Sequence, residues 1–443
     1  MRFTMVKLRS ILALISRQLI GTEKRLAVTK NIGWMLMDRV FRMGLSVLIV
    51  IWMARVFGPE QFGQYNFALS VIGILAVITG LGLHGVVVRE VVKRPKHANN
   101  IISAGFVALC FVGGLGAALT AGIAISWETP YLPTYLIAIL SLTLVMKSTD
   151  IVRSWFESQM QSRITILAES GVFLCMAAVR IYFILTEMPL MAFIWLLVVE
   201  ATLLALAFLF ALWRFTPIRL SMRPNFAEIK PLVKEALPIL VAGLGVVIYM
   251  RIDQVILGVL LGQESVGIYA AAVRISEIWY FVPAAIAASV FPSSVASRDT
   301  NPADYSSNLR KLHRLMWGLS GAAILLIFWL GETLILGLYG TPYASAHPVL
   351  LVQILGGVFV SLSLSRNNWL MAENLQIYTM IFTGAGAIVN IGLNFYLIPK
   401  YGVLGAAYAT ALSYASVVVG FPLLFKTTRK SVYDTMWPFE LGR

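Results

Sequence analysis

The sequence predicts an all-α integral membrane protein of about twelve transmembrane helices, arranged as two six-helix lobes related by a parallel internal repeat. Three observations predict it. Of the 443 residues, 59% are hydrophobic and only 13% charged, with a mean hydropathy of +0.82; soluble domains carry about twice that share of charge. Apolar runs of helical length follow one another along the chain, each close to the roughly 20 residues that cross a bilayer. A short polar turn is also written twice. Gly58-x-Glu60-x-x-Gly63-x-Tyr65 returns just under half the chain later as Gly262-x-Glu264-x-x-Gly267-x-Tyr269.

Residues 1–30 read as a basic cytoplasmic segment. Its apolar run is short, is interrupted by Arg17 and lacks a small-residue cleavage site, which argues against a signal peptide. Leu8, Ile11, Leu12, Ile15 and Leu19 share one helical face. A helix lying on the inner membrane surface and a frayed basic tail both fit that pattern. The first lobe, 31–214, holds spans at 32–54, 65–88, 100–125, 132–150, 164–185 and 190–213. A basic cytoplasmic linker, 215–234, leads to the second lobe, 235–426, with spans at 236–261, 266–291, 312–338, 348–370, 376–398 and 403–425. Residues 427–443 form a cytoplasmic tail. Interior Pro238, Gly243 and Pro283 do not break this pattern, because membrane helices tolerate both residue types.

The cations fix the orientation. With the N-terminus inside, only Arg55 and Lys400 of the 35 Lys and Arg residues fall on the outer side. Five lie within spans: Arg39, Arg42, Arg180, Arg251 and Arg274. All others are on the inner side, which satisfies the positive-inside rule with both termini cytoplasmic. The net charge of +14 is therefore a topology signal and not a nucleic-acid footprint. Cys110 and Cys175 sit in apolar runs without CxxC spacing, so they read as core residues and not as metal ligands or a disulfide. No GxxxxGK[ST] run is present, so the chain carries no P-loop and no cofactor or metal motif.

In this topology both copies of the repeated turn are outer loops, each joining the first two spans of a six-span lobe. Glycines permit a tight turn, and each tyrosine is expected to start the next helix at the membrane interface. The motif reads as structural, and its duplication points to parallel repeats, a transporter architecture that gives alternating access. A weaker echo, Gly402-Val403-Leu404-Gly405, occupies the last outer loop.

Ionisable groups inside spans are costly and face a bundle interior or water. Here they comprise Asp38, Arg39 and Arg42 on span one, Glu169 and Arg180 on span five, and Glu200 on span six. Arg251 and Asp253 lie on span seven, and Arg274 and Glu277 on span eight. Asp38 and Arg42 are i, i+4 and Arg274 and Glu277 i, i+3, spacings that bring side chains together. Arg251, Asp253, Arg274 and Glu277 lie at similar depth and could form one network. Structural ion pairing between helices would explain them. So would a cationic cavity, since arginine's planar fork matches phosphate and stays charged. On that reading Arg39, Arg42, Arg180, Arg251 and Arg274 hold an anionic substrate, and Asp38, Glu200, Asp253 and Glu277 serve a coupling H+ or Na+ or the polar network. His84 reads as a packed or interfacial histidine. Asn390 and Asn394 read as bonding neighbouring helices, and Trp127, Trp155 and Trp213 as interface anchors.

The stretches NIGWMLMDRVFRMGLSVLIVIWMARVFGPEQFGQYNFALS (31–70), GLGLHGVVVRE (80–90) and NIGLNFYLIPKYGVLGAAYATALS (390–413) together resemble the polysaccharide (O-antigen type, Wzx) flippases. These belong to the multidrug/oligosaccharidyl-lipid/polysaccharide exporter (MOP) superfamily, and the resemblance covers essentially the whole chain. It implies a MATE/MOP-like fold in the bacterial cytoplasmic (inner) membrane. It also implies movement of an undecaprenyl-diphosphate-linked oligosaccharide from the inner to the outer leaflet, with membrane lipids around it and an ion gradient or membrane potential driving it. Flippases of this kind admit association with a polysaccharide polymerase, although no partner surface is legible here. A multidrug exporter of the same superfamily is the first alternative; Asp38 suits it, but Arg39 and Arg42 argue against a cationic substrate. A lipid II flippase is the second, with 390–413 resembling the polysaccharide branch better. A membrane glycosyltransferase, polymerase or ligase would need a sizeable catalytic loop, which the sequence lacks, so the chain is not read as an enzyme.

Overall fold

A computed structural model describes residues 22–126, 132–223, 225–300 and 302–438, with side chains from residue 41 onward. The surface helix or tail expected over residues 1–30 falls largely outside them, as does Trp127. Regular structure among the described residues is helical throughout. The N-terminal lobe comprises α1 (Thr22–Thr79), α2 (Leu83–Lys93), α3 (Ala98–Ser126), α4 (Thr134–Met146), α5 (Ile151–Ser158), α6 (Ser162–Leu185) and α7 (Leu190–Phe215). The C-terminal lobe comprises α8 (Ile229–Leu261), α9 (Gln263–Thr300), α10 (Pro302–Tyr339), α11 (Ala346–Ala372), α12 (Gln376–Tyr401) and α13 (Val403–Ala415). A π turn over Ser416–Gly420 and a helical turn over Phe421–Leu424 then lead to α14 (Lys426–Met436).

Eleven helical stretches among the described residues are long and apolar enough to cross a membrane. The first, Phe41–Lys93, contains Gly58, whose φ of 69° and ψ of 176° end one helix and start another. Its two limbs are separate spans, which makes twelve among the described residues, and the protein is a multi-pass membrane protein. Large apolar side chains remain exposed where lipid would cover them, Trp329 at 76%. Several helices outrun their apolar stretches. α8 begins at Ile229 and not at 236, α9 runs through Pro292 to Thr300, and α10 starts at Pro302 and not at 312. Hydropathy marks only the part of a helix in hydrocarbon. The 38 residues of α10 are about 57 Å long at the usual rise, well beyond a core of about 30 Å.

The repeated turn has two structural roles. Gly58 and Gly262 (φ 86°, ψ 178°) take a backbone conformation that glycine alone enters cheaply. Each ends one span and begins the next within a residue. Gly63 and Gly267 are different: both are helical, and both are sites of close approach. A Cβ on Gly63 would stand 1.7 Å from the Gln263 carbonyl oxygen, and one on Gly267 would stand 1.9 Å from the Pro59 carbonyl oxygen. The two copies therefore pack on each other reciprocally across the pseudo-twofold relation of the lobes.

The motif tyrosines are not interface residues, contrary to the sequence expectation. Tyr65 is 6% and Tyr269 1% exposed, because the helices they begin are buried between the lobes. Around them the junction of the lobes at the end of the repeated turns is sealed. Ser70 Oγ donates to Gln254 Oε1 at 3.0 Å, Tyr343 Oη to the Ala54 carbonyl at 2.8 Å, and Arg55 Nη1 to the Gly337 carbonyl at 3.0 Å. Phe62, Phe67, Ala271 and Ile335 belong to the same buried cluster. Towards the opposite end α2 packs on the start of α8, where Arg89 pairs with Glu235 and Arg94 with Glu228 at 3.1 Å. Trp155 packs against the buried cluster at that end of the N-terminal lobe, whereas Trp213 is exposed beside Phe210, as an interface anchor would be.

Candidate functional site

Two polar centres lie inside the spans. The first is cationic. Arg42 on α1 reaches Glu169 on α6 at 3.7 Å, and Arg153 on α5 pairs with the other oxygen of the same carboxylate. Arg180 on α6 pairs with Glu200 on α7. Arg274 lies 3.8 Å from Glu277, the i, i+3 pair expected. Tyr65 is within electrostatic reach of Arg180, Glu200 and Arg274, and Tyr339 within reach of Arg274. A cation of each lobe thus acts electrostatically on the first motif tyrosine, which lies close to the sealed junction. Arg251 makes no ion pair among the described residues. The side chains of Asp38 and Arg39 fall outside them. Two guanidinium groups share the Glu169 carboxylate.

Arg153 is a member that the sequence reading assigned to an inner loop. Helix α5 carries it back toward the bundle, beside a cavity of about 210 Å³ that also holds His84, Lys147 and Asp150. His84 is bonded on both nitrogens, to Glu157 Oε2 at 2.9 Å and to Ser154 Oγ at 2.9 Å. Its side chain is 51% exposed, so of the packed and interfacial arrangements expected of it, it is not the packed one.

The second centre surrounds Asp253 on α8, which is 3% exposed. The network expected with Arg251 does not form through direct contact, because residues two apart on a helix face different ways. Instead Oδ2 accepts from the hydroxyl of Tyr269, the second motif tyrosine, and from Thr410 Oγ1 at 3.0 Å. Gln353 Nε2 donates to Tyr269 Oη at 2.9 Å. Oδ1 has no hydrogen-bond partner. The carboxylate borders a cavity of about 260 Å³ that Glu277, Tyr249, Tyr280 and Tyr414 also line. Thr410 and Gln353 were not singled out from sequence, and Tyr269 was read there only as an interface residue of the repeated turn. A buried carboxylate with a free oxygen and no cation in contact is expensive, and a proton or a small cation relieves it.

Asn390 and Asn394 bond along α12 and not to neighbouring helices: Asn394 Nδ2 donates to the Asn390 carbonyl at 2.9 Å and to its Oδ1 at 3.1 Å.

Residues 28–298 match the family described as polysaccharide biosynthesis protein, and residues 238–396 match the MatE family. Among curated relatives, a probable flippase, AglR, of Haloferax volcanii is 37% identical over 180 residues. That match covers 37% of this chain and 35% of the relative, so the chain spans about a third of it. A probable low-salt glycan biosynthesis flippase, Agl15, of the same organism is 25% identical over 384 residues, 85% of this chain and 79% of the relative. Among solved structures, the lipid II flippase MurJ in an inward closed conformation superposes with a TM-score of 0.70 at 15% identity. It covers 91% of this chain and 90% of that one, a likeness of fold.

Proposed function

The chain belongs to the polysaccharide biosynthesis protein family, and on that premise we propose that it is a flippase for an undecaprenyl-diphosphate-linked oligosaccharide. The cargo is an O-antigen, capsule or exopolysaccharide repeat unit, carried from the inner to the outer leaflet of the bacterial cytoplasmic membrane by alternating access. The observation that carries this reading is the set of arginines held against carboxylates inside the spans of both lobes: Arg42 and Arg153 on Glu169, Arg180 on Glu200, and Arg274 beside Glu277. A diphosphate bridging the two lobes would exchange those cations' internal partners for its own oxygens. Arg251 adds positive charge, and arginine suits a diphosphate because its fork donates bidentately. Sugars occupy the water between the lobes and the lipid tail stays in the bilayer. Asp253 takes H+ or Na+ as the coupling ion, with Glu277 on the same cavity. The chain is a transporter and not an enzyme.

Deletion of the gene in its host tests this. Loss of surface polymer with complete repeat units retained on the inner leaflet is the expected result. Unchanged polymer with altered sensitivity to cationic drugs would instead identify a drug exporter. At the site level, Arg42→Ala and Arg274→Ala are expected to lower export about tenfold or more at normal accumulation, since each charged hydrogen bond is worth roughly 1.5–3 kcal/mol. Full export in both at wild-type protein levels removes them from the site. Glu60→Gln and Glu264→Gln are expected to leave export within about twofold. Both side chains are exposed, and an exposed acid in a first helical turn contributes only about 0.3–1 kcal/mol. Lost export with intact protein in these two variants would give the turn a direct role in transport.

A further inference from the structure

A third cavity, of about 370 Å³, lies at the inner end of the C-terminal lobe and shares no lining residue with the two described above. Three helices build it. Arg310 and His313 line it from α10, Arg366 from α11 and Glu373 from the cap just past that helix, and Lys430 and Asp434 from α14. Its wall on α14 is fixed in place: Trp317 Nε1 donates to the Thr435 carbonyl at 3.0 Å, and Arg314 Nε to the Pro438 carbonyl at 2.8 Å.

The charges in this cavity are unbalanced. Glu373 is already engaged by Arg298 at 3.0 Å and by the Tyr305 hydroxyl at 3.2 Å. Burial pushes the Asp434 carboxyl up, against the pull of Lys430 and Arg310. Neither Arg310 nor Lys430 forms an ion pair among the described residues. Behind them stand two buried groups with orphaned nitrogens. His313, 3% exposed, meets Thr435 Oγ1 through Nε2 at 3.5 Å, and its Nδ1 has no partner. Arg366, 1% exposed, donates from Nη1 to the Val418 carbonyl at 2.6 Å and from Nη2 to the Val417 carbonyl at 3.0 Å. Its Nε has no partner. The sequence reading counted Arg366 with the inner-side cations. The structure buries it instead, because the π turn at Ser416–Gly420 turns backbone carbonyls toward it.

We propose that this cavity binds a phosphate-bearing group from the cytoplasmic side, held between Arg310, Lys430 and the buried His313 and Arg366. Basic pockets at the cytoplasmic ends of membrane helices have the chemistry and the depth for such a group. The phosphate comes either from the headgroup of an anionic inner-leaflet phospholipid or from a soluble phosphate ester. Occupancy has a route to the transport machinery. Val417 and Val418, the acceptors of Arg366, also line the Asp253 cavity, so the bound phosphate sits one guanidinium away from that cavity's wall.

Native mass spectrometry of the purified full-length protein in a neutral detergent tests this, with phosphatidylglycerol, phosphatidylcholine and glucose 6-phosphate as probes. The protein is expected to retain one phosphatidylglycerol, or one glucose 6-phosphate that displaces it, in preference to phosphatidylcholine. The first result identifies a lipid and the second a soluble ester. Arg310→Gln combined with Lys430→Gln should weaken that binding about tenfold or more, roughly what one lost charged contact costs. Both side chains are exposed, so folding is spared, and unchanged thermal unfolding confirms it. Lys311→Gln combined with Lys426→Gln, on the same surface but outside the cavity, should leave binding unchanged. Equal weakening in both double variants, or no preference over phosphatidylcholine, overturns the site.

Discussion

Replacing either Gly63 or Gly267 by alanine is expected to lower export at least about tenfold and to leave the lobe junction unsealed. The methyl group would stand 1.7 Å from one carbonyl oxygen or 1.9 Å from the other, where ordinary contact is 3.4–4 Å. The neighbours are backbone atoms of the opposite lobe and cannot rotate away, so the lobes must separate. Overpacking of this kind costs about 1–3 kcal/mol, and each 1.4 kcal/mol is about a factor of ten in population. Alanine is more favourable than glycine inside a helix by about 1 kcal/mol. Loss of export therefore reports on the lobe junction and not on a weakened helix. The check combines transport with labelling of Ser70→Cys by an impermeant maleimide, in a background with Cys110 and Cys175 replaced by serine. Ser70 is fully buried beneath the junction, so labelling from outside should be slow in the parent and faster in each alanine variant. Unchanged labelling together with unchanged export would mean that the junction opens and closes without this contact.

The glycines also show what a sequence can and cannot disclose. The repeat was legible because two copies of one spacing stand in equivalent loops. Its contact was not, because Gly58 and Gly63 look alike until one is found with positive φ and the other against a distant carbonyl. The spans were legible because hydrocarbon thickness sets a length and a composition. Helix ends were not, because α8, α9 and α10 continue through polar residues that hydropathy discounts. Tyr65 and Tyr269 have the composition of interface anchors. Only lobe packing makes them core residues with charged neighbours. The i, i+3 pair of Arg274 and Glu277 could be read from helix geometry. The partners of Asp253 could not, since Thr410 is 157 residues away and Arg251, two residues away, points elsewhere. Arg366 depended on a π turn, and no local pattern announced one.

Asp253→Asn is expected to reduce export about a hundredfold or more and to remove its dependence on the driving ion, with the protein still folded and inserted. The substitution preserves size and leaves an oxygen that can accept from Tyr269 and Thr410, so the hydroxyl cage is largely retained. What it removes is the negative charge, with Oδ1 unpartnered beside an open cavity. In a low-dielectric site that charge has no compensation except a proton or a cation arriving through the cavity. If the carboxylate served only to orient Tyr269, asparagine would substitute well and Tyr269→Phe would be as damaging as Asp253→Asn. If it carries the coupling ion, Tyr269→Phe should cost less. Losing one hydrogen bond to a charged group amounts to about 1.5–3 kcal/mol, and the ion would still bind. Export by the two variants, measured under imposed Na+ and pH gradients, separates these cases. Ion-dependent export by Asp253→Asn at the wild-type rate would move the coupling site elsewhere, and Glu277 on the same cavity would be the next carboxylate to replace.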